Sequence, residues 1–152
     1  MKPDYAISDV VPHSGVMSLL DELIEYDADS LTARVAITQH SCFAEARGVP
    51  SWIGIEYMAQ TIAAHAGIGD RNSGNAISIG LLVGTRRYSC SRPFFPLGSE
   101  LLIHVVRELQ GDNGLGTFRC TITAEGIEAQ ANLNVFQPDD VDAYLHNEKN
   151  KG

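Results

Sequence analysis

The chain has 152 residues and a formal net charge of −8, with 11 Lys and Arg against 19 Asp and Glu. This length predicts one domain whose core is large enough to fold without disulfides or metal ions. The acidic balance, with no basic stripe to neutralise phosphates, argues against nucleic-acid binding. The three cysteines form no close pair and no apolar leader follows Met1, so we expect a cytoplasmic protein with reduced thiols.

The first predicted elements are a short helical turn and a hairpin. Residues 7–11 are predicted to form one helical turn capped by Ser8. The apolar run in residues 17–26 and the alternation of apolar and polar residues over 31–38 predict two strands. The polar residues 27–30 between them are typical of a turn. These strands are therefore predicted to pair as a hairpin.

An apolar helix predicted over residues 51–68 organises the chain. Pro50 and Ser51 are typical of a helix start, and the glycine-rich polar run 67–75 predicts its end. Apolar residues lie on all sides of this segment, which is typical of a buried helix. The segment is too short and too polar to be a good membrane span, so we expect no membrane association.

Glu56 is the only formally charged residue in the predicted helix. A carboxylate in apolar surroundings is costly unless it is paired, and burial raises its pKa. Two interpretations follow from this. Glu56 takes part in chemistry, or it pairs with an arginine or a backbone amide at an interface.

The second half of the chain predicts strands joined by tight turns. Residues 76–90 are predicted to form one strand with a bend at Gly80 or Gly84, and strands are also expected over 100–109, 115–123 and 126–136. The run 111–114 is a hairpin signal. The fold class is therefore α+β, with a curved and mostly antiparallel sheet wrapped around one long buried central helix.

The sheet and the chain ends have consequences for assembly and domain boundaries. A curved sheet with a free edge is usually covered or paired, so we expect a homodimer or a higher homo-oligomer. Residues 1–137 are predicted to form the single domain. Residues 138–152 are polar and are predicted to be a frayed tail.

Three motifs in this order resemble those of the hotdog-fold 3-hydroxyacyl-[acyl-carrier-protein] dehydratases. Ile55-Glu56-Tyr57-Met58-Ala59-Gln60 is similar to the Glu-Ala-Met-Ala-Gln motif of that family's helix. Val11-Pro12-His13, followed by Leu19-Leu20-Asp21, resembles the family's opening segment. The turn that begins Arg92-Pro93-Phe94 resembles its Arg-Pro-Val turn. Together with the run Gly84-Thr85-Arg86-Arg87-Tyr88, the motifs are closest to the aryl polyene branch.

The resemblance implies a lyase that converts a 3-hydroxyacyl thioester on acyl carrier protein into the trans-2-enoyl thioester, in fatty-acid or polyene-type biosynthesis. One group removes a proton from carbon 2, another protonates the leaving hydroxyl, and N–H donors hold the enolate oxygen. This chemistry needs no metal or other cofactor, and the sequence signals none. Two alternatives remain: a hotdog acyl thioesterase, and a non-catalytic partner subunit of a heteromeric dehydratase.

One departure from the family concerns the base. Housekeeping relatives carry a catalytic histidine fourteen residues before the acid, and Cys42 occupies that position here. The resemblance then leaves His13 or His40 as the base beside Glu56, and we favour His13. Cys42 is a weaker candidate nucleophile, because no basic residue adjoins it in sequence.

The remaining predicted site residues also follow from the resemblance. The residues expected to bind substrate lie in the loop before the helix and in the helix itself: Phe43, Ser51, Trp52 and Gln60. An acidic carrier requires a local basic patch, and the arginines expected to dock it are Arg86, Arg87 and Arg92. The alternative for these three is that they are ordinary solvated arginines. His65, on the buried helix, is predicted to be a packed residue.

Overall fold

The computed structural model describes residues 1–11, 18–74, 81–111 and 113–136, and for residues 81–83 it describes the backbone alone. Its helices are α1, Ile7–Val10, and α2, Gly54–Asn72, and the 3₁₀ turn Ser51–Ile53 leads into α2. We call Ser51–Ile53 the opening turn. The strands, in chain order, are β1 Glu22–Tyr26, β2 Ser30–Ala36, β3 Val49–Pro50, β4 Leu81–Cys90, β5 Phe94–Phe95, β6 Glu100–Gln110, β7 Leu115–Ala124 and β8 Ile127–Phe136.

Six of the strands form one antiparallel sheet in the order β1-β2-β6-β7-β8-β4, and β3 pairs with β5 separately. Alternate side chains of β2, β6, β7 and β8 are buried, because successive strand residues point to opposite faces. The buried face packs on α2, whose residues contact β2, β6 and β7. The α+β prediction of an antiparallel sheet around one central helix is confirmed.

The helix α2 buries most of its surface between the sheet and α1. Met58, Ile62 and Ile68 are at most 2% exposed. Gly67 faces α1, and a Cβ at Gly67 would overlap the backbone of Val10. The buried residues lie on one broad side of the helix, and the other side is half-buried or exposed. The all-round apolar pattern therefore predicted a buried helix but overstated the burial of one side.

Three local predictions are wrong. Ser8 does not cap α1: Ala6 precedes the helix, and the Asp9 carboxylate accepts the N–H of Ala6 at 2.9 Å. Ser51 makes no side-chain cap, because it lies inside the opening turn. The helix does not end at Ile68 but continues to Asn72, within the glycine-rich run 67–75, since packing against α1 outweighs the low helix propensity of glycine.

Two other local predictions are confirmed in the described residues. The β1–β2 hairpin forms, with Leu23 opposite Ala33. The strand after the helix is irregular at Gly84, one of the two predicted positions, because its pairing with β8 shifts register between Leu82 and Gly84. The other position, Gly80, lies outside the described residues. The predicted tail, residues 138–152, lies outside the described residues, so the domain boundaries stay predictions.

Candidate active site

The opening turn before α2 is fixed to the β4–β5 segment through both backbone polar groups of Ser51. The Ser51 N–H donates to the carbonyl oxygen of Pro93 at 2.9 Å. The Tyr88 hydroxyl donates to the carbonyl oxygen of Ser51. The N–H of Gly54 donates to the carbonyl oxygen of Ser51, and the N–H groups of the opening turn lie at the positive end of the helix dipole. This end of α2 is therefore suited to a negatively charged oxygen.

Glu56 lies in the first turn of α2 and is half-buried. Ala59, Ala63, Ala66 and Asp70 follow it at alternating spacings of three and four residues, and all of them are half-buried. Residues at these spacings share one helix face. We call Glu56, Ala59, Ala63, Ala66 and Asp70 the half-exposed face of α2. It places the Glu56 carboxyl at the boundary between the core and the surface.

Two aromatic side chains lie at the opening turn: Trp52 belongs to the turn, and Phe43 comes from the loop before it. Trp52 is 63% exposed and Phe43 is 45% exposed, and their ring centroids are 6.3 Å apart. Phe43 adopts a φ of 70°, which is unusual for a bulky residue. The structure thus brings together two residues for which the sequence predicts contact with substrate.

A cavity of about 540 Å³ lies between the β2 end and α2. Its lining includes His40, Cys42, Tyr57 and Asp21, whereas Glu56 is not among the described residues that line it. Tyr57 is 2% exposed, and burial, followed by the nearby Cys42 and Asp21, raises the pKa of its hydroxyl. The hydroxyl therefore stays protonated at neutral pH and can donate a hydrogen bond.

Tyr57 was not among the site residues predicted from the sequence. The sequence contained one indication of a role for Tyr57, because this residue follows Glu56 inside the motif. A tyrosine on a buried helix is, however, usually a packing residue. Only the fold shows that Cys42, fourteen residues before Glu56 in sequence, lines the same cavity as Tyr57.

The candidate bases have different places. His40 is exposed, in the loop after β2, and its Nε2 lies 3.3 Å from Nε2 of Gln39. His13 lies outside the described residues. The structure therefore places His40 at the cavity and leaves the preference for His13 a prediction.

Gln60 is fully buried, and its Oε1 accepts the N–H of Leu19 at 2.9 Å. It ties α2 to the segment before β1, so Gln60 lies beneath the surface of this chain. Its predicted contact with substrate stays a prediction.

The three arginines predicted to dock a carrier are exposed on one stretch of chain. Arg86 and Arg87 lie on β4, and Arg92 follows it. Within the described residues none of the three forms an ion pair, whereas Arg34 pairs with Glu22 and Glu100, and Arg107 with Asp29.

His65 is packed, as the sequence predicts, and it lines a second cavity of about 870 Å³ at the far end of α2. It is 9% exposed, and its Nε2 lies 3.1 Å from the carbonyl oxygen of Ala28. Burial, and then the positive charge of Arg107, lower the pKa of the imidazole, while the contact with Ala28 opposes this.

The comparisons with known proteins decide the family. The family model of the ApeP-like dehydratases matches residues 5–146. The chain belongs to the ApeP-like dehydratase family. This membership makes it a dehydratase, a hydro-lyase, and confirms the predicted resemblance to the aryl polyene branch. A comparison with curated proteins found no match.

Solved structures agree with this assignment. The ApeI:P dehydratase heterocomplex from Xenorhabdus doucetiae contains a chain 27% identical, with a TM-score of 0.84, and the match covers 94% of this chain and 97% of that chain. The PaaI protein from the phenylacetic acid degradation operon of E. coli is 14% identical, with a TM-score of 0.59 and coverages of 75% and 80%.

A hypothetical thioesterase from Streptococcus pneumoniae TIGR4, solved with coenzyme A, is 12% identical at a TM-score of 0.59, with coverages of 76% and 86%. At such identities PaaI and this thioesterase share the fold alone. Among the described residues, no helix is both long and apolar enough to cross a membrane.

Proposed function

We propose that this ApeP-like dehydratase converts a 3-hydroxyacyl thioester, carried by acyl carrier protein in the cytoplasm, into the trans-2-enoyl thioester at the start of α2. The observation that carries the proposal is the position of Glu56. It is the one carboxylate in the first turn of the central helix, beside the N–H groups of the opening turn. An acid and an oxyanion-binding helix end are two of the three parts that this elimination requires.

Glu56 protonates the leaving hydroxyl in this mechanism. The reaction breaks the bond from carbon 2 to hydrogen and the bond from carbon 3 to oxygen. It forms a double bond between carbon 2 and carbon 3, and it releases one water molecule. The proton on carbon 2 passes to a base, and the hydroxyl on carbon 3 leaves with the proton of Glu56. The half-buried carboxyl of Glu56 lies in the first turn of α2, next to the helix end proposed to hold the thioester oxygen.

The N–H groups at the start of α2 stabilise the negative charge that develops on the thioester oxygen. The positive end of the helix dipole favours that charge. Donors held in place before the reaction need no reorganisation in the transition state. The tethers from Pro93 and Tyr88 to Ser51 provide such a fixed turn.

The base is a histidine, because an imidazole that titrates near neutral pH suits the removal of a weakly acidic proton. His13 is the preferred base and His40 is the alternative. His40 has in its favour that it lines the cavity beside Cys42 and Tyr57. Phe43 and Trp52 then contact the acyl thioester near the opening turn. Ser51 and Gln60 also belong to the proposed substrate-binding site.

The carrier docks on Arg86, Arg87 and Arg92. These side chains are exposed and not ion-paired within the described residues, so their charges are available to an acidic partner. The protein itself has a net charge of −8, which makes a local basic patch necessary for attraction between the two proteins.

A second candidate function is that this chain is one half of a heteromeric dehydratase. Two observations favour it: Cys42 stands where relatives carry a histidine, and the similar solved structure is a dehydratase heterocomplex. In this arrangement a second subunit provides the base, and this chain provides Glu56 and the opening turn.

The test is to incubate the purified chain with 3-hydroxyacyl and saturated acyl thioesters on carrier protein, alone and with a second hotdog dehydratase subunit. Enoyl formation by the chain alone supports the first function. Enoyl formation only after the second subunit is added supports the heteromeric function. Release of free thiol without enoyl product contradicts both and indicates a thioesterase.

A further inference from the structure

The strand β4 carries a bulge next to the opening turn. Its pairing with β8 shifts register between Arg86 and Ser89, and Arg87 adopts a φ of 56°. A bulge of this kind redirects the side chains that follow it. Arg86 and Arg87 are both exposed as a result, and Tyr88 is half-buried.

Tyr88 fits against the helix start because Gly54 has no side chain. A Cβ at Gly54 would overlap the Tyr88 hydroxyl and crowd Ile122 and Phe95. Without that Cβ, the hydroxyl reaches the Ser51 carbonyl oxygen and donates to it. Burial raises the pKa of the Tyr88 hydroxyl, so it remains a donor throughout the neutral range.

Tyr88 therefore completes a two-point tether. The Pro93 carbonyl holds the Ser51 N–H, and the Tyr88 hydroxyl holds the Ser51 carbonyl. Ser51 O is also an acceptor for the N–H of Gly54, at the first residue of α2. Fixing both backbone groups of Ser51 fixes the direction in which α2 starts at Gly54, two residues before Glu56.

We propose that Tyr88 is a positioning residue for dehydration, which holds the opening turn and Glu56 in the geometry that the reaction requires. This inference rests on the proposed function. In this role Tyr88 acts through its hydrogen bond to Ser51 and not through contact with the reacting atoms. A displacement of about 1 Å in a reacting group can lower a rate on the order of 10²-fold, so the loss of one tether is expected to affect kcat.

The decisive variant is Tyr88→Phe, which removes only the hydroxyl. The matched control is Tyr5→Phe, because the Tyr5 hydroxyl donates to the other end of α2, to Oδ1 of Asn72 at 2.8 Å. Tyr88→Phe loses one hydrogen bond to the opening turn that precedes α2, and Tyr5→Phe loses one to the last residue of α2. Each is assayed on a small 3-hydroxyacyl thioester, in the assembly in which dehydration is observed.

We expect Tyr88→Phe to lower kcat by roughly 10- to 100-fold with little change in KM, and Tyr5→Phe to leave kcat near wild type. The unfolding midpoints of the two variants should shift similarly. Native-state hydrogen exchange gives a readout independent of activity: the Gly54 amide should exchange faster in Tyr88→Phe and not in Tyr5→Phe.

Wild-type kcat in Tyr88→Phe, an equal loss of kcat in Tyr5→Phe, or unchanged exchange at Gly54 overturns the assignment. The Glu56→Gln variant in the same assay distinguishes a wrong role for Tyr88 from a wrong proposed function. If Glu56→Gln is fully active, the proposed function fails. If Glu56→Gln is inactive while Tyr88→Phe is normal, only the role of Tyr88 fails.

Discussion

The backbone carbonyl of Val10 in α1 lies against the Cα of Gly67 in α2, so closely that a Cβ at Gly67 would overlap it. Gly69 lies two residues further along α2, and a Cβ at Gly69 would have no atom within 4 Å among those compared. We expect Gly67→Ala to lower the free energy of unfolding by about 1–3 kcal/mol, the usual cost of overpacking. Gly69→Ala should be neutral or raise it by up to about 1 kcal/mol through helix propensity. Urea denaturation of both variants measures the difference, and equal midpoints would contradict the close contact.

Glu56→Gln tests the general acid. The amide keeps the size of the side chain and cannot supply the proton, so we expect turnover to fall by roughly 10²-fold or more, with circular dichroism and the unfolding midpoint near wild type. Asp70→Asn, at the other end of the half-exposed face, is the matched control and should retain activity. Near-wild-type turnover in Glu56→Gln would remove Glu56 from the mechanism.

Separate His13→Ala and His40→Ala variants assign the base. We expect His13→Ala to lower enoyl–hydroxyacyl interconversion by about 10²-fold or more and His40→Ala to have a smaller effect. The reverse result assigns the base to His40. If both variants keep wild-type turnover, the base comes from a second subunit, and the heteromeric function is favoured.

A double variant, Arg86→Glu with Arg92→Glu, reverses two of the charges that are proposed to dock the carrier. We expect the apparent KM for a carrier-bound substrate to rise on the order of tenfold, which corresponds to about 1.4 kcal/mol, and the KM for a small thioester to stay unchanged. Added salt should reduce the difference, because exposed charges are screened beyond about 10 Å at 0.1 M. Arg119→Glu on β7, which is also exposed, is the control. Equal effects on both substrates would show that these arginines are structural.

The buried imidazole of His65 should make the protein sensitive to acid. Its pKa in the folded state is lowered by burial and by Arg107, so the unfolded chain binds the proton more readily. The free energy of unfolding therefore falls as the pH drops below about 6.5, the ordinary pKa of histidine. We expect this fall to be smaller in His65→Gln than in the wild type, and to persist in His104→Gln, which removes an exposed imidazole. An unchanged slope in His65→Gln contradicts the prediction.

The sequence predicted the main elements because their signals are local. The alternation of apolar residues in β2, such as Leu31, Ala33 and Val35, reports the buried face of a strand wherever that strand lies in the sheet. The all-round apolar pattern likewise identified α2 as a buried helix. The family motifs added the expected role of Glu56, since an acid inside an apolar helix is conspicuous in sequence.

Only the tertiary structure decided how these elements meet. The position of β4 beside β8, the extension of α2 beyond Ile68 and the meeting of Cys42 with Tyr57 depend on contacts between residues distant in sequence. The tether from Tyr88 to Ser51 joins residues that are 37 positions apart. This tether requires both a bulge at Arg87 and a glycine at position 54. No local sequence pattern predicts the bulge or the need for that glycine. Periodicity reports which face of an element is buried, whereas the partners of that face are set by strand order and by close packing.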